Sequence, residues 1–287
     1  MGIIDDLKIQ YRTGGITLKV IFWNIGIFLV SLIFFFQFKL GFFIYPDWIS
    51  LSSNPLVAVI HPWTLLSYGF LHATFWHLLF NMMVLNFAGR LFTTYFTDKQ
   101  FLGLYLLSTV FAGLIFVLSF YVLGGQSVIV GASGAIMAIL VAATTYQPLL
   151  NVRLFLFGNV KLWYITGVIL LLDLMQIRLD NTGGHIAHLA GAFLGFGYIK
   201  LLQNGTDLSK IVTTILNFFV NLFKPGKAVP FKKVHKNYTT PPLKTISKII
   251  TKDKNQQQID EILDKIGRSG YDSLTKQEKE FLFKAGK

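Results

Sequence analysis

The chain has no cysteine and little charge. Without cysteine there are no disulfides, no thiolate-held zinc or iron–sulfur centre and no cysteine nucleophile. The lack says nothing about redox compartment. Asp, Glu, Lys and Arg make up 14% of the 287 residues, against roughly 25% in an ordinary soluble domain, so much of the surface is not built to face water. What fills the space is apolar: 53% of the residues, with 28 phenylalanines. This is the composition of a polytopic membrane protein. Acidic residues number 14 against 26 basic ones, but 17 of the basic residues lie from Lys200 onward. The basic excess belongs to a tail, whose expected partner is anionic lipid at the cytoplasmic face rather than nucleic acid. No cleavable signal-peptide pattern is visible in the polar residues 1–17.

A membrane-spanning helix needs roughly 20 predominantly apolar residues. Six stretches meet this, at about 18–38, 74–92, 101–123, 128–146, 160–177 and 184–203. Residues 39–73 form a long loop between the first two, rich in Pro and aromatics. Trp48, Trp63 and Tyr68 suit the membrane–water interface. With the N-terminus inside, the inner loops and tail hold 24 Lys and Arg, and the outer ones only Lys39 and Arg178. The positive-inside rule therefore predicts both termini in the cytoplasm. Residues 208–223 are apolar but short and mixed with Ser, Thr, Asn and Lys, and are predicted to lie at the interface rather than span. Residues 224–258 are basic, contain Pro225-Gly226 and Pro241-Pro242, and read as a linker. Beyond them the apolar spacing of Ile259, Ile262, Leu263 and Ile266, a break over 267–273, and Leu274 to Leu282 predict a small helical hairpin.

Polar and ionisable side chains are costly in hydrocarbon, so those in the spans mark function by default. Ser133 sits in Gly131-Ala132-Ser133-Gly134 at the start of the fourth span. By itself that run is most simply a packing motif, because small residues line helix contacts. His188 lies in Ala187-His188-Leu189-Ala190-Gly191, with Gly191 and Gly195 on its face. That face can press closely on another helix, and if the partner is the start of the fourth span, the hydroxyl meets the imidazole as an activated nucleophile requires. His77 and Asn81, four apart on the second span, share a face. They are either neutral donors for a developing oxyanion, a second base, or interhelical glue. Asp173 on the fifth span is expected to pair with a polar group on a neighbouring helix near the outer face, and His185 stands one turn from His188.

Three motifs in order on these spans, His77-Leu78-Leu79-Phe80-Asn81, Gly131-Ala132-Ser133-Gly134 and Ala187-His188-Leu189-Ala190-Gly191 with Gly195, resemble the rhomboid family of intramembrane serine proteases. The resemblance covers about residues 18–203. It implies an all-α, six-transmembrane-helix bundle and cleavage of other proteins' transmembrane segments by a Ser–His dyad without a carboxylate. It implies Ser133 as nucleophile, His188 as general base, and an oxyanion site from the Ser133 N–H, His77 and Asn81. Residues 39–73 become an outer loop lying partly in the membrane, with His72 as a structural residue. The chain departs from the family pattern at Met137, where a tyrosine often packs on the base, at Trp63-Thr64 in place of Trp-Arg, and around Thr93, where an acidic residue is common.

The organisation expected is a cytoplasmic segment (1–17), a rhomboid-like transmembrane catalytic domain (18–203) and a basic cytoplasmic tail (204–287), in the inner membrane, with the active site opening to the outer face. Partners are transmembrane substrates and the bilayer, with no nucleic acid, metal or other cofactor. The alternatives are a non-catalytic rhomboid-like binding protein, a transporter or channel, and a metal or haem protein using His72, His77, His185 and His188. Against the last, no His-Glu-x-x-His occurs and no carboxylate is expected beside any of these histidines.

Overall fold

The computed structural model describes residues 2–154, 158–179, 181–222 and 246–285. They fall into two compact units, residues 1–225 and 226–287. In the first, an exposed α1 (Ile3–Thr13) leads into α2 (Ile16–Phe34). The loop after α2 carries β1 (Phe36–Gln37), β2 (Phe42–Phe43), β3 (Leu51–Ser52), the short helices α3 (Pro55–Ile60) and α4 (Thr64–Ser67), and a tight turn, Tyr68–Phe70. Then come α5 (Phe75–Tyr95), α6 (Asp98–Leu123), β4 (Val128–Ile129), α7 (Ser133–Tyr146), the hairpin β5 (Asn151–Leu154) and β6 (Gly158–Lys161), α8 (Leu162–Gln176), α9 (Thr182–Gln203) and α10 (Ser209–Leu222). The chain is a polytopic membrane protein of helical class. Helices α2, α5, α6, α7, α8 and α9 occupy the six apolar stretches in order, and α2, α6 and α9 are long and apolar enough to cross a membrane.

The bundle is built around α7. Every residue from Gly134 to Thr144 is buried, and a helix apolar on all sides belongs in the middle of a bundle. Around it the outward faces of the other helices stay apolar: Ile33, Leu174 and Phe193 are all exposed, as lipid contact requires. Fourteen residues at 1.5 Å each make α7 about 21 Å long, shorter than the roughly 30 Å hydrocarbon core. The fourth span was expected from residue 128, but Val128–Ile129 is a strand, antiparallel to Leu51–Ser52 of the outer loop. The Ser53 N–H donates to the Ser127 carbonyl at 2.9 Å, and the Ser127 N–H to Ser53 Oγ at 2.9 Å. Non-helical backbone at membrane depth survives only where protein or a wet cavity satisfies it. Here β3 does so, and α7 begins only at Ser133.

The outer loop is held by its own polar groups. The Trp63 indole donates to the Trp48 carbonyl at 2.6 Å, and the Tyr68 hydroxyl to the Thr109 carbonyl of α6 at 2.8 Å. Helix α10 lays its Ser209 edge against Gly103 of α6, where a side chain would strike Ser209. Its 14 residues include two buried ones, Ser209 and Val212.

The second unit consists, among the described residues, of α11 (Ile246–Ser269), a turn over Tyr271–Ser273 and α12 (Lys276–Ala285). Gly270, at φ +79°, ends α11. Thr275 and Glu278 cap α12 reciprocally, Thr275 N–H to Glu278 Oε2 at 2.7 Å and Glu278 N–H to Thr275 Oγ1 at 3.3 Å. Lys265 ties the two helices through Glu278 at 2.9 Å. Helix α11 takes in the last thirteen residues of the expected linker. Residues 246–258 are helical, and Pro225-Gly226 and Pro241-Pro242 lie outside the described residues.

Candidate active site

Ser133 is the first residue of α7. The turn before it depends on Gly131, whose φ of +141° is a conformation that a side chain disfavours. The Gly131 N–H donates to the Tyr68 carbonyl at 2.9 Å. A Cβ at 131 would stand 3.0 Å from both Cε1 and Nε2 of His77, so glycine lets the imidazole lie against the serine turn. The first N–H groups of a helix have no intrahelical acceptor. In α7 the N–H of Ile136 is bonded back, to Ala132, at 3.0 Å, which leaves the Ser133 N–H pointing out of the helix start.

His188 reaches that turn because α9 packs on α7 backbone to backbone. A methyl at Gly191 would run into the carbonyl oxygen of Gly134, and one at Gly195 into that of Ala138. The axes approach as closely as small-residue pairs permit, and His188, one turn before Gly191, comes level with the head of α7. Ser133, His188, His77 and Asn81 line one cavity of about 430 Å³, with Tyr68 and Gly131 among its other walls. No hydrogen bond joins the Ser133 hydroxyl to the His188 ring among the described residues.

The two α5 side chains are positioned from the helix start. Thr74 caps α5 by accepting the His77 N–H at 3.0 Å. His77 Nδ1 accepts the Ala73 N–H at 3.4 Å, which leaves the ring proton on Nε2, the nitrogen beside Gly131. Asn81, one turn on, is 9% exposed, and its Nδ2 is buried without a partner. His72 is fully buried, its ring edge-on to His77 at 5.1 Å, and its carbonyl accepts the Tyr45 hydroxyl. It does not line the cavity. Met137 is packed in the core and does not line it either.

Asp173 of α8 corrects one expectation. Its Oδ1 lies 2.9 Å from His188 Nδ1 and 2.7 Å from His185 Nδ1, so a carboxylate does stand beside the histidines. The separation of 15 positions between Asp173 and His188 obscures the pairing in the sequence. The signal was the short connection over 177–181. Asp173 is three residues before the end of α8 and His188 six after the start of α9, so an antiparallel hairpin brings them to a similar depth. Among the described residues, Asp173, His185 and His188 are the set whose ligand atoms lie close enough, within 4.8 Å, to share an ion. Both imidazoles, however, direct Nδ1 to a single carboxylate oxygen, a hydrogen-bonded arrangement. His72 and His77 are not part of it.

No curated protein matches the chain. Residues 250–284, within the second unit, match a family of unknown function (DUF6576). Residues 60–204, just over half of the chain, match the Rhomboid domain, and the match runs from the outer loop through the end of α9, enclosing the whole cavity. The chain therefore belongs to the rhomboid family, whose fold is polytopic and whose members are usually intramembrane serine proteases.

Proposed function

We propose that this rhomboid is an intramembrane serine endopeptidase that cuts the transmembrane segments of other membrane proteins. The observation that carries the reading is the convergence of Ser133, His188, His77 and Asn81 on one cavity at the head of a helix too short to cross the bilayer. Ser133 Oγ attacks a peptide carbonyl carbon while its proton passes to His188 Nε2. The C–N bond then breaks, and the same proton goes to the leaving amine. Water attacks the resulting ester with His188 again taking the proton, and Ser133 is regenerated. The carbonyl oxygen, negative in between, receives the Ser133 N–H, His77 Nε2–H and Asn81 Nδ2–H. A donor already buried and unpaired, as Asn81 Nδ2 is, needs no reorganisation when that charge appears.

Peptide bonds inside an intact helix are closed to attack, so a substrate segment must unwind near its outer end, which favours small and helix-breaking residues there. The loop charges favour cytoplasmic termini, an inner-membrane location and a cavity open to the outer face. Residues 18–203 are then the catalytic domain. Helix α10 lies at the interface, and the basic tail stays with anionic lipid.

The test is cleavage of a transmembrane reporter by the detergent-solubilised full chain. Wild type is expected to cut, and Ser133→Ala and His188→Ala to be inactive. Equal cleavage by wild type and Ser133→Ala would sink the reading. The missing Ser133–His188 hydrogen bond is the one feature that favours a non-catalytic binding protein, which predicts reporter binding with no cleavage and no effect of Ser133→Ala.

A further inference from the structure

The dyad picture leaves the base with no partner on its far side, and the expected aromatic support is a methionine buried elsewhere. The structure supplies something else at His188. We propose that Asp173 is a positioning residue for the His188 base, making a Ser133–His188–Asp173 relay across the α8–α9 hairpin. The proposal rests on the protease reading above.

The geometry carries it in three steps. First, His188 Nδ1 stands 2.9 Å from Asp173 Oδ1. A carboxylate oxygen only accepts, so the ring carries its proton on Nδ1 and presents the Nε2 lone pair. That is the tautomer a base needs to take the serine proton. Second, the imidazolium formed during attack gains a charge-assisted hydrogen bond to the same oxygen. Asp173 keeps its charge throughout. The proton travels only between Ser133 Oγ, His188 Nε2 and the leaving nitrogen. Third, the carboxylate is itself held. His185 Nδ1 donates to Oδ1 at 2.7 Å, from the same helix face one turn before His188. Oδ2 is buried without a partner, and Asp173 is 7% exposed. A buried carboxylate with one oxygen unsatisfied is costly to keep in a bilayer, and it lies against the nitrogen whose protonation decides whether His188 can act. Met137 supplies no ring behind His188; the His185 ring stands edge-on to it at 5.9 Å, and the hydrogen bond that fixes its orientation comes from Asp173. The ionisable groups around the base are Asp173 on α8, His185 on α9 and His77 on α5.

The test uses the full chain in detergent with the transmembrane reporter. Wild-type cleavage and an inactive Ser133→Ala first establish the protease reading. Asp173→Asn is then expected to lower kcat by about 10²–10⁴-fold, because the amide can donate to Nδ1 and hold the wrong tautomer, with KM within about threefold because substrate contacts are untouched. Asp173→Glu, which restores an acceptor, should recover part of kcat. Wild-type kcat in a folded Asp173→Asn would overturn the proposal. If Asp173→Asn does not fold, ¹⁵N-histidine spectra of the wild-type chain decide. The resonance lost in His188→Ala should report a proton on Nδ1, and a proton on Nε2 instead would overturn the proposal. Cleavage lost to a chelator and restored by zinc would also overturn it, because the three groups would then be holding a metal. Because the spectra do not depend on turnover, an inactive wild type with Nδ1 protonated would fault the protease reading and leave the contact standing.

Discussion

Asn81 has a buried amide nitrogen with nothing to bond. A buried donor left unsatisfied costs about 1–3 kcal/mol, and the chain carries that cost at the wall of the cavity that holds Ser133. Function and stability should therefore part company at this position. Asn81→Leu is expected to lower kcat by about 10²–10³-fold, the effect of losing one oxyanion donor, while the thermal midpoint stays level or rises. Reporter kinetics and a melting curve on the same preparation check both halves. A fall in the midpoint matching the fall in activity would mean that the amide is structural. His77 differs, because its ring is placed by the Thr74 cap and the Ala73 N–H. Thr74→Ala removes the cap acceptor and should cost about 1 kcal/mol of stability, along with a slower reaction of Ser133 with a fluorophosphonate as the His77 ring loses its register.

At the scale of elements, α7 and α9 depend on each other through their glycines. The neighbour of Gly191 is the backbone carbonyl of Gly134, which has no rotamer to move into. Gly191→Ala should push the helices apart, lower stability by about 1–3 kcal/mol as overpacking does, and slow the labelling of Ser133 by separating it from His188. Gly197, with open space around its Cβ position, is the control: Gly197→Ala should leave labelling intact. The joint after α9 is electrostatic. Asp207 Oδ1 accepts the Ser209 N–H at 2.9 Å, its hydroxyl at 2.6 Å and the Tyr198 hydroxyl at 3.1 Å, and Oδ2 accepts from Gln100 at 3.3 Å. Burial pushes this carboxyl up, but the donors from Ser209, Tyr198 and Gln100 outweigh it and hold Asp207 below the ordinary value of 3.8. A folded value below the unfolded one gives stability that is whole above 3.8 and is lost as pH falls through the lower value. Asp207→Asn should lower the melting temperature at neutral pH, and the gap from wild type should close in strongly acidic buffer. A gap constant with pH would rule out this ionic contribution.

At the scale of the molecule, residues 1–225 and 226–287 are separate compact units, and the cavity lies wholly in the first. A chain ending after Leu222 is expected to keep the thermal transition of the membrane unit and its reporter cleavage, as an independent core implies. Loss of cleavage with the transition intact would give the tail a part in catalysis. The sequence by itself determined the class, the six helices in order and the polar residues Ser133, His188, His77 and Asn81 as the ones to place, because bilayer thickness and the cost of polar groups in hydrocarbon act on local composition. Gly191 and Gly195 were readable as a contact face for the same reason. Other features belong to the tertiary structure alone. The strand at Val128–Ile129 exists because Leu51–Ser52 is there to pair with it, a partner more than seventy residues away that no local pattern announces. The orphaned amide of Asn81 depends on what fails to reach it. The approach of Asp173 to His188 depends on the depth and rotation of two helices. These are set by packing around α7 rather than by either helix's own sequence, which is why a chain that reads as a bare Ser–His pair carries a carboxylate beside His188.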